Sequence, residues 1–240
     1  MDFKWLVRRA FRSVGYDLQR YSELGDAEAR RGRLLRAYGV DVVLDVGANT
    51  GQFARELRRA GYAGRIESFE PQGAAFRALE QRAAADPRWK IHRMAVGDRD
   101  GTATLNLAGN SLSSSLLEML PAHADSAPES RYVGTEEVPT RRLDGLFDEL
   151  APAGSSVFLK IDTQGFERQV LDGAAGCLAR IDTVQVEMSL VSLYAGAPLF
   201  GELLDRLQSL GYDLVGLEPG FAEPSTGRLL QTDGIFHRHR

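Results

Sequence analysis

Five acidic residues in this 240-residue chain stand where apolar runs give way to turns, positions at which a carboxylate can hold or activate a ligand. Asp45 lies in Val42-Val43-Leu44-Asp45-Val46, directly before Gly47-Ala48-Asn49-Thr50-Gly51. Glycines there let the backbone turn sharply and approach a ligand closely, and a helix behind them presents free N–H groups. The dinucleotide pattern G-x-G-x-x-G and the Gly-Lys-Ser/Thr of a phosphate loop are both absent from this turn. An acid at that strand end is a poor neighbour for pyrophosphate and suits a cation. Glu70, in Phe69-Glu70-Pro71, ends the next apolar run 19 residues beyond Gly51. In doubly wound folds an acid at this place accepts hydrogen bonds from ribose hydroxyls. In Ala95-Val96-Gly97-Asp98, Val96 can pack on an adenine ring and Asp98 can accept from its amino group, although a plain Gly-Asp turn explains the pair equally well. Asp45, Gly47, Asn49, Gly51, Glu70, Val96, Asp98 and Asp162 thus make a binding set for a cationic nucleoside, of which S-adenosylmethionine is one.

The remaining acids point to a reaction. Lys160 and Asp162, in Val157-Phe158-Leu159-Lys160-Ile161-Asp162, share one strand face by the period of two. Neither charge belongs in an apolar run unless it is paired or exposed at the carboxyl edge. Glu187 lies late in the next run, Gln185-Val186-Glu187-Met188. Asp162 and Glu187 on neighbouring strand ends can polarise an acceptor hydroxyl or hold a divalent cation such as Mg2+. The competing structural reading pairs Lys160 with Glu187 or another acid as a salt bridge. His123 is a further candidate base. His92 reads as a satisfied core histidine, Asp233 as a turn residue, and His237 and His239 carry no assignment.

These residues need a scaffold of strand ends. Apolar runs at 42–46, 65–70, 90–96, 102–107, 157–162, 183–188, 212–217 and 234–237 alternate with helical patterns at 52–60, 73–85, 167–179 and 200–210. Such alternation predicts an α/β fold, a parallel sheet covered on both faces. Residues 1–39 read as a helical extension and 40–240 as the main domain. The first helix spans 3–21, apolar at Phe3, Val7, Ala10, Phe11, Val14, Leu18 and Tyr21 and basic elsewhere; the second spans 26–38. The first either caps the domain or makes a homodimer contact, or it rests on an anionic membrane surface. The segment 108–140 breaks the rhythm with Ser111–Ser115 and Pro121, Pro128 and Pro139. A stretch that long predicts a lid over the site.

Composition narrows the classes. With 43% hydrophobic and 26% charged residues the chain can bury a sizeable core. A net charge of -4 gives no global attraction for nucleic acid, so no nucleic-acid partner is expected. A single cysteine, Cys177, excludes a disulfide framework. No apolar run approaches a membrane span, and the N-terminus lacks a secretory leader pattern. The expected location is the cytoplasm, including the inner face of the membrane.

In order and spacing, Leu44–Gly51, Phe69-Glu70-Pro71, Ala95-Val96-Gly97-Asp98, Ser111–Ser115, Leu143-Asp144 and Lys160–Glu167 resemble the FkbM-type family of S-adenosylmethionine-dependent methyltransferases. The resemblance runs from about Val42 to His237. It implies a Rossmann-like class I methyltransferase fold with a mostly parallel seven-stranded sheet, S-adenosylmethionine as cofactor, and transfer to oxygen. Where the family often has Val-Glu-Gly, this chain has Thr163-Gln164-Gly165. That form resembles members methylating sugar hydroxyls of actinobacterial glycolipids, which implies a carbohydrate or glycolipid acceptor. Two other readings stay open: a nicotinamide-dependent oxidoreductase, and a non-catalytic member that only binds cofactor.

Overall fold

The computed structural model describes residues 3–18, 22 and 25–238. In chain order its elements are α1 (Phe3–Ser13), α2 (Ala27–Ala37), β1 (Val42–Val46), α3 (Gln52–Arg59), β2 (Arg65–Phe69), α4 (Gly73–Ala83), β3 (Trp89–His92), β4 (Ala95–Val96) and β5 (Gly101–Ala108). There follow α5 (Pro121–Ser126), β6 (Tyr132–Arg141), α6 (Phe147–Leu150), β7 (Val157–Ile161), α7 (Glu167–Asp172), β8 (Thr183–Ser189), α8 (Phe200–Ser209), β9 (Tyr212–Pro219) and β10 (Gln231–Arg238).

The expected seven-stranded sheet is present, in the order β3-β2-β1-β7-β8-β10-β9. All neighbours are parallel except β10, which runs against both β8 and β9. Strand order reverses between β1 and β7, so their carboxyl ends open a crevice of the kind in which α/β sheets bind ligands.

Alternation along each strand divides the core between two faces. Val42, Leu44 and Val46 of β1, with Val157, Leu159 and Ile161 of β7, pack in a cluster with Leu171 of α7 and Leu207 of α8. Val43 and Phe158 point the other way, into a cluster with Leu35 of α2, Phe53 and Leu57 of α3 and Leu79 of α4. Side chains two apart share a face, so Asp45 and Lys160 belong to this second face, beneath α3.

Several expectations need correction. The first helix ends at Ser13, not 21, with Gly15 at φ +85 just beyond it; Arg20 and Tyr21 lie outside the described residues, as does His239. The strand expected at 90–96 is broken: β3 stays in the large sheet, whereas β4 pairs with β6 in a three-stranded sheet, β4-β6-β5. The backbone leaves the first sheet at Arg93-Met94, where Met94 N bonds back to His92 O. The helix expected at 167–179 ends at Asp172. The 108–140 segment is not wholly a lid, because its last third is β6, paired antiparallel with β5.

Nor is α2 a free extension. Asp26 caps it through Ala29 N at 2.8 Å, and Leu35 sits in the core. Buried Arg31 joins Glu56 of α3 at 2.9 Å and Glu218 of β9, and its guanidinium lies 5.0 Å over the ring of Phe53. Removing Arg31 leaves the buried Glu218 carboxylate with only the longer contact from Arg30, at 3.4 Å. Arg31→Leu is therefore expected to lower stability by about 3–5 kcal/mol, and Arg31→Leu with Glu218→Leu to recover most of the loss. Urea denaturation of the three proteins reads this, and a double variant no better than the single would overturn it.

Candidate active site

The crevice is shaped by backbone that only certain residues accept. Gly47 sits at φ +80, and a Cβ there would fall 1.8 Å from the carbonyl oxygen of Asp162. The ends of β1 and β7 thus approach as closely as a glycine allows. Asn49 follows at φ +47, and its N–H donates to Glu70 Oε2 at 2.7 Å. Glu70 Oε1 accepts from Gln72 N, also at 2.7 Å, so one carboxylate ties the two loops together. Gly51 begins α3 at φ +85, and a Cβ added to it would stand 2.8 Å from both Leu79 and Trp89. It shapes the turn and faces the core rather than the crevice.

A cleft opens over these ends. Met94, Val96, Leu105, Leu116 and Phe166 make its apolar walls, Gly47, Glu70 and Asp162 its polar floor, and Ser111, Ser114 and Ser115 its far side. None of the lining residues is Lys or Arg. Burial drives the Glu70 carboxyl up to about 7, against its two backbone donors. Of the expected binding residues, Gly47, Glu70, Val96 and Asp162 line this cleft, and Asn49 supports it from behind.

Asp98 does not belong there. It is exposed on the turn after β4, away from the cleft lining. Asp45 is also misplaced by the sequence reading. It is fully buried, accepts from Ser68 Oγ at 3.0 Å, and lies 3.5 Å from Lys160 Nζ. Its charge faces Lys160, so it makes no direct contact with a ligand in the cleft. Lys160 also lies 3.2 Å from Asp162 and donates to Gly47 O at 3.1 Å. Burial opposes its charge, but Asp162, Asp45 and Asp233 outweigh that and leave its pKa raised. The salt-bridge reading of Lys160 holds, with Asp45 and Asp162 as partners and not Glu187.

Asp162 and Glu187 do come together, through a residue the sequence reading left out of the site. Gln164 Nε2 donates to Asp162 Oδ1 at 2.9 Å and to Glu187 Oε2 at 3.0 Å, while Gln164 Oε1 accepts from Tyr194 Oη at 2.8 Å. Gln164 is held at φ +55, a left-handed conformation costly to a residue with a Cβ and here fixed by four bonded neighbours, since its carbonyl also accepts from Ser115 Oγ at 2.7 Å. Burial, then Asp162, Glu167 and Asp233, push Glu187 well above the usual carboxylate range. The Gln164 amide occupies the position between the two acids where a cation was expected. Among the described residues no group of three or more His, Cys, Asp and Glu is placed to hold a metal ion.

His123 is brought near Tyr194 but not into the cleft. It is buried with its ring 5.1 Å from that of Tyr194 and 5.4 Å from that of Phe221, and burial lowers its pKa. His92 is satisfied by Glu67 at 2.8 Å and stacks on Phe69. Lys160, Gln164, Tyr194 and the buried Glu167, whose Oε1 accepts from Thr163 N and Gly165 N, are the functional-site residues that sequence reasoning did not assign. The departure at 164 from the family pattern was the signal available for one of them.

The family model described as methyltransferase FkbM domain matches residues 45–214. The 2-O-methyltransferase NoeI of Sinorhizobium fredii is 30% identical over 186 residues, covering 74% of this chain and 74% of its own. Among solved structures, a putative tRNA methyltransferase of Streptococcus pneumoniae in complex with S-adenosylmethionine has 11% identity over 88% of this chain and 73% of that one, with a TM-score of 0.47. A putative RNA methyltransferase of Pyrococcus horikoshii has 14% identity over 100% of both chains and a TM-score of 0.45. The matched family transfers methyl groups, which sets aside the oxidoreductase reading.

Lys160→Met tests the buried row directly. Asp45 already has a raised pKa from burial, and loss of Lys160 raises it further. An acid whose folded pKa exceeds its unfolded value binds more protons when folded, so stability falls as pH rises through that window. The variant is expected to lose on the order of 3–5 kcal/mol near pH 8 and much less near pH 4, with Asp45→Asn added to it restoring stability at the higher pH. Thermal unfolding across pH measures this; a deficit independent of pH would refute the pairing.

Proposed function

The chain belongs to the FkbM methyltransferase family, and on that premise we propose that it moves the methyl group of S-adenosylmethionine to a hydroxyl of a carbohydrate, carried on a glycolipid or another glycoconjugate. The observation that carries this reading is the juxtaposition of an apolar, cation-free cleft over Glu70 with the Asp162–Gln164–Glu187 fork at its edge. Oxygen as the acceptor atom is supported by the similarity to a 2-O-methyltransferase. The sugar and its lipid rest on the resemblance of Thr163-Gln164-Gly165 to members that modify such acceptors.

The cleft residues fit this cofactor. Glu70 is nine-tenths buried, and its remaining lone pairs can accept from ribose hydroxyls. Val96, Met94 and Phe166 offer apolar surface to an adenine ring. Glu70 and Asp162 are acids in a cleft lined by no cation, an environment that suits a positively charged ligand and repels a pyrophosphate. Bound there, S-adenosylmethionine supplies an electrophilic methyl group on a sulfonium. The chain's own part is to align the acceptor and exclude water. Glu187 Oε2 is held by Gln164, and among the described residues Oε1 takes no hydrogen bond, so Oε1 is the atom we assign to receive the acceptor hydroxyl's proton. Burial and its acidic neighbours raise its pKa, so its carboxylate, ionised once a sulfonium's charge lies nearby, is a stronger base than an ordinary one. Asp162, fixed by Lys160 and Gln164, orients the hydroxyl beside it.

Calorimetry with S-adenosylhomocysteine is expected to show binding that Glu70→Ala weakens about thirtyfold, the loss of two hydrogen bonds at roughly 1 kcal/mol each. Unchanged affinity would remove Glu70 from the ribose site. In the parent protein affinity is expected to fall as pH drops through about 7, because protonation of Glu70 removes an acceptor; affinity flat across that range would contradict the same assignment. Glu187→Gln is expected to keep cofactor affinity and lower turnover by roughly 100-fold or more. Turnover is read by mass spectrometry of glycan and lipid extracts as the mass of one added CH2, and an unimpaired variant would rule Glu187 out as the base.

A further inference from the structure

We propose that α1 and the turn after it dock this protein onto an anionic lipid surface. Six of the thirteen large apolar side chains exposed among the described residues fall within residues 5–18: Trp5, Leu6, Phe11, Val14, Tyr16 and Leu18. None of them joins any of the four apolar clusters of the described structure. At 3.6 residues per turn, Leu6, Val7, Ala10 and Phe11 share one side of α1, and Lys4, Arg8 and Arg12 the other. Trp5 lies among the cations, between Arg12 and Arg9 around the helix, with Arg9 5.2 Å over its ring.

Charge selects the occupant. The helix carries Lys4, Arg8, Arg9 and Arg12 and no acid, on a chain whose net charge is -4. Asp17 chelates Arg8 and Arg12, at 2.7 and 3.0 Å, and so closes the turn against the end of the helix. A second copy of α1 would bring like charges together, and a nucleic acid would leave Leu6 and Phe11 in water. An anionic bilayer satisfies both faces at once, burying the apolar side at the acyl boundary and holding the cations among headgroup phosphates. With a lipid-linked acceptor, the same contact would confine enzyme and acceptor to one surface.

The full chain is expected to co-float with vesicles of phosphatidylcholine mixed with phosphatidylglycerol and not with phosphatidylcholine alone. High salt is expected to release it, since screening shortens to a few Å near 1 M. Arg9→Gln is expected to weaken partitioning about fivefold and Lys4→Gln with Arg9→Gln about 25-fold, at roughly 1 kcal/mol per cation. Leu6→Ser with Phe11→Ser is expected to abolish flotation without changing thermal stability, because both side chains are exposed. Failure to float with either vesicle, or equal flotation with both, would overturn the proposal. So would concentration-dependent dimerisation lost in the Leu6/Phe11 variant, or binding to duplex RNA in preference to vesicles. Cofactor binding by calorimetry is measured without lipid, so its failure and the failure of vesicle binding are separate results.

Discussion

The Asp45–Lys160 pair is the constraint around which this site is built. The two residues are register partners on β1 and β7, the strands between which sheet order reverses. The row they occupy continues across the sheet: Ser68 is the register partner of Asp45 and receives Trp89 Nε1 at 3.0 Å, and Gln185 is the partner of Lys160 and donates to Asp233 at 3.1 Å. A one-residue slip of either strand would turn its charge into the opposite, apolar face and leave the other charge unpaired, so the pair specifies register. Its energetic return is modest, because two charges must be taken from water. What it secures is geometry: Lys160 Nζ reaches the Gly47 carbonyl and Asp162 together, fixing the cofactor loop and the acidic fork relative to one another.

Around that one lysine the acids are in excess. Burial raises Glu70 and Glu167 to about 7 and Asp233 to about 6, and raises Glu187 well above its ordinary value. Each acid would ionise more easily in water, so near neutral pH the fold holds protons that solvent would release, at a cost in stability. A bound cation relieves that cost. The same electrostatics that weaken the fold at the crevice favour a sulfonium there, and a cleft lined without Arg or Lys offers nothing to a phosphate.

The sheet and its loop were legible because their signals are local. An apolar run followed by Gly47–Gly51 can form little other than a strand and a tight turn, and Glu70 could be located by its distance from that turn. What was not legible depended on which way a side chain faces. Asp45 and Asp162 look alike in sequence and share a strand parity, yet one is enclosed beneath α3 against Lys160 and the other reaches the rim, because Asp162 lies just past the end of β7 while Asp45 pairs with Lys160 inside the sheet. Asp98 was misread because strand three breaks at Arg93-Met94, and β4 then joins another sheet. The helix predicted through residue 21 overran Gly15, whose φ of +85 ends it. Gln164 was noticed only as a missing acid. Its amide replaces one carboxylate among several with two donors and an acceptor, and so holds Asp162, Glu187 and Tyr194 at hydrogen-bonding distance instead of adding a further like charge.

The serine-rich stretch shows why the crevice cannot be read as a permanently open groove. Ser111 O accepts from Asn49 Nδ2 at 3.1 Å, Ser113 O accepts from Tyr194 Oη at 3.2 Å, and Ser115 Oγ donates to Gln164 O at 2.7 Å. Three successive alternate residues of one segment thus touch the cofactor loop, the tyrosine behind the fork and the backbone of the fork itself. Tyr194 Oη has a single proton, shared between Gln164 Oε1 and the Ser113 carbonyl, so the serine segment and the fork are held by one coupled set of contacts. Both ends of the segment are anchored, by β5 pairing at Asn106–Ser115 and by Met119 bridging to Tyr194. Held at both ends, the serine-rich segment touches the Gly47–Gly51 loop through Asn49 and the Asp162–Gln164–Glu187 fork through Gln164, and so ties the two together.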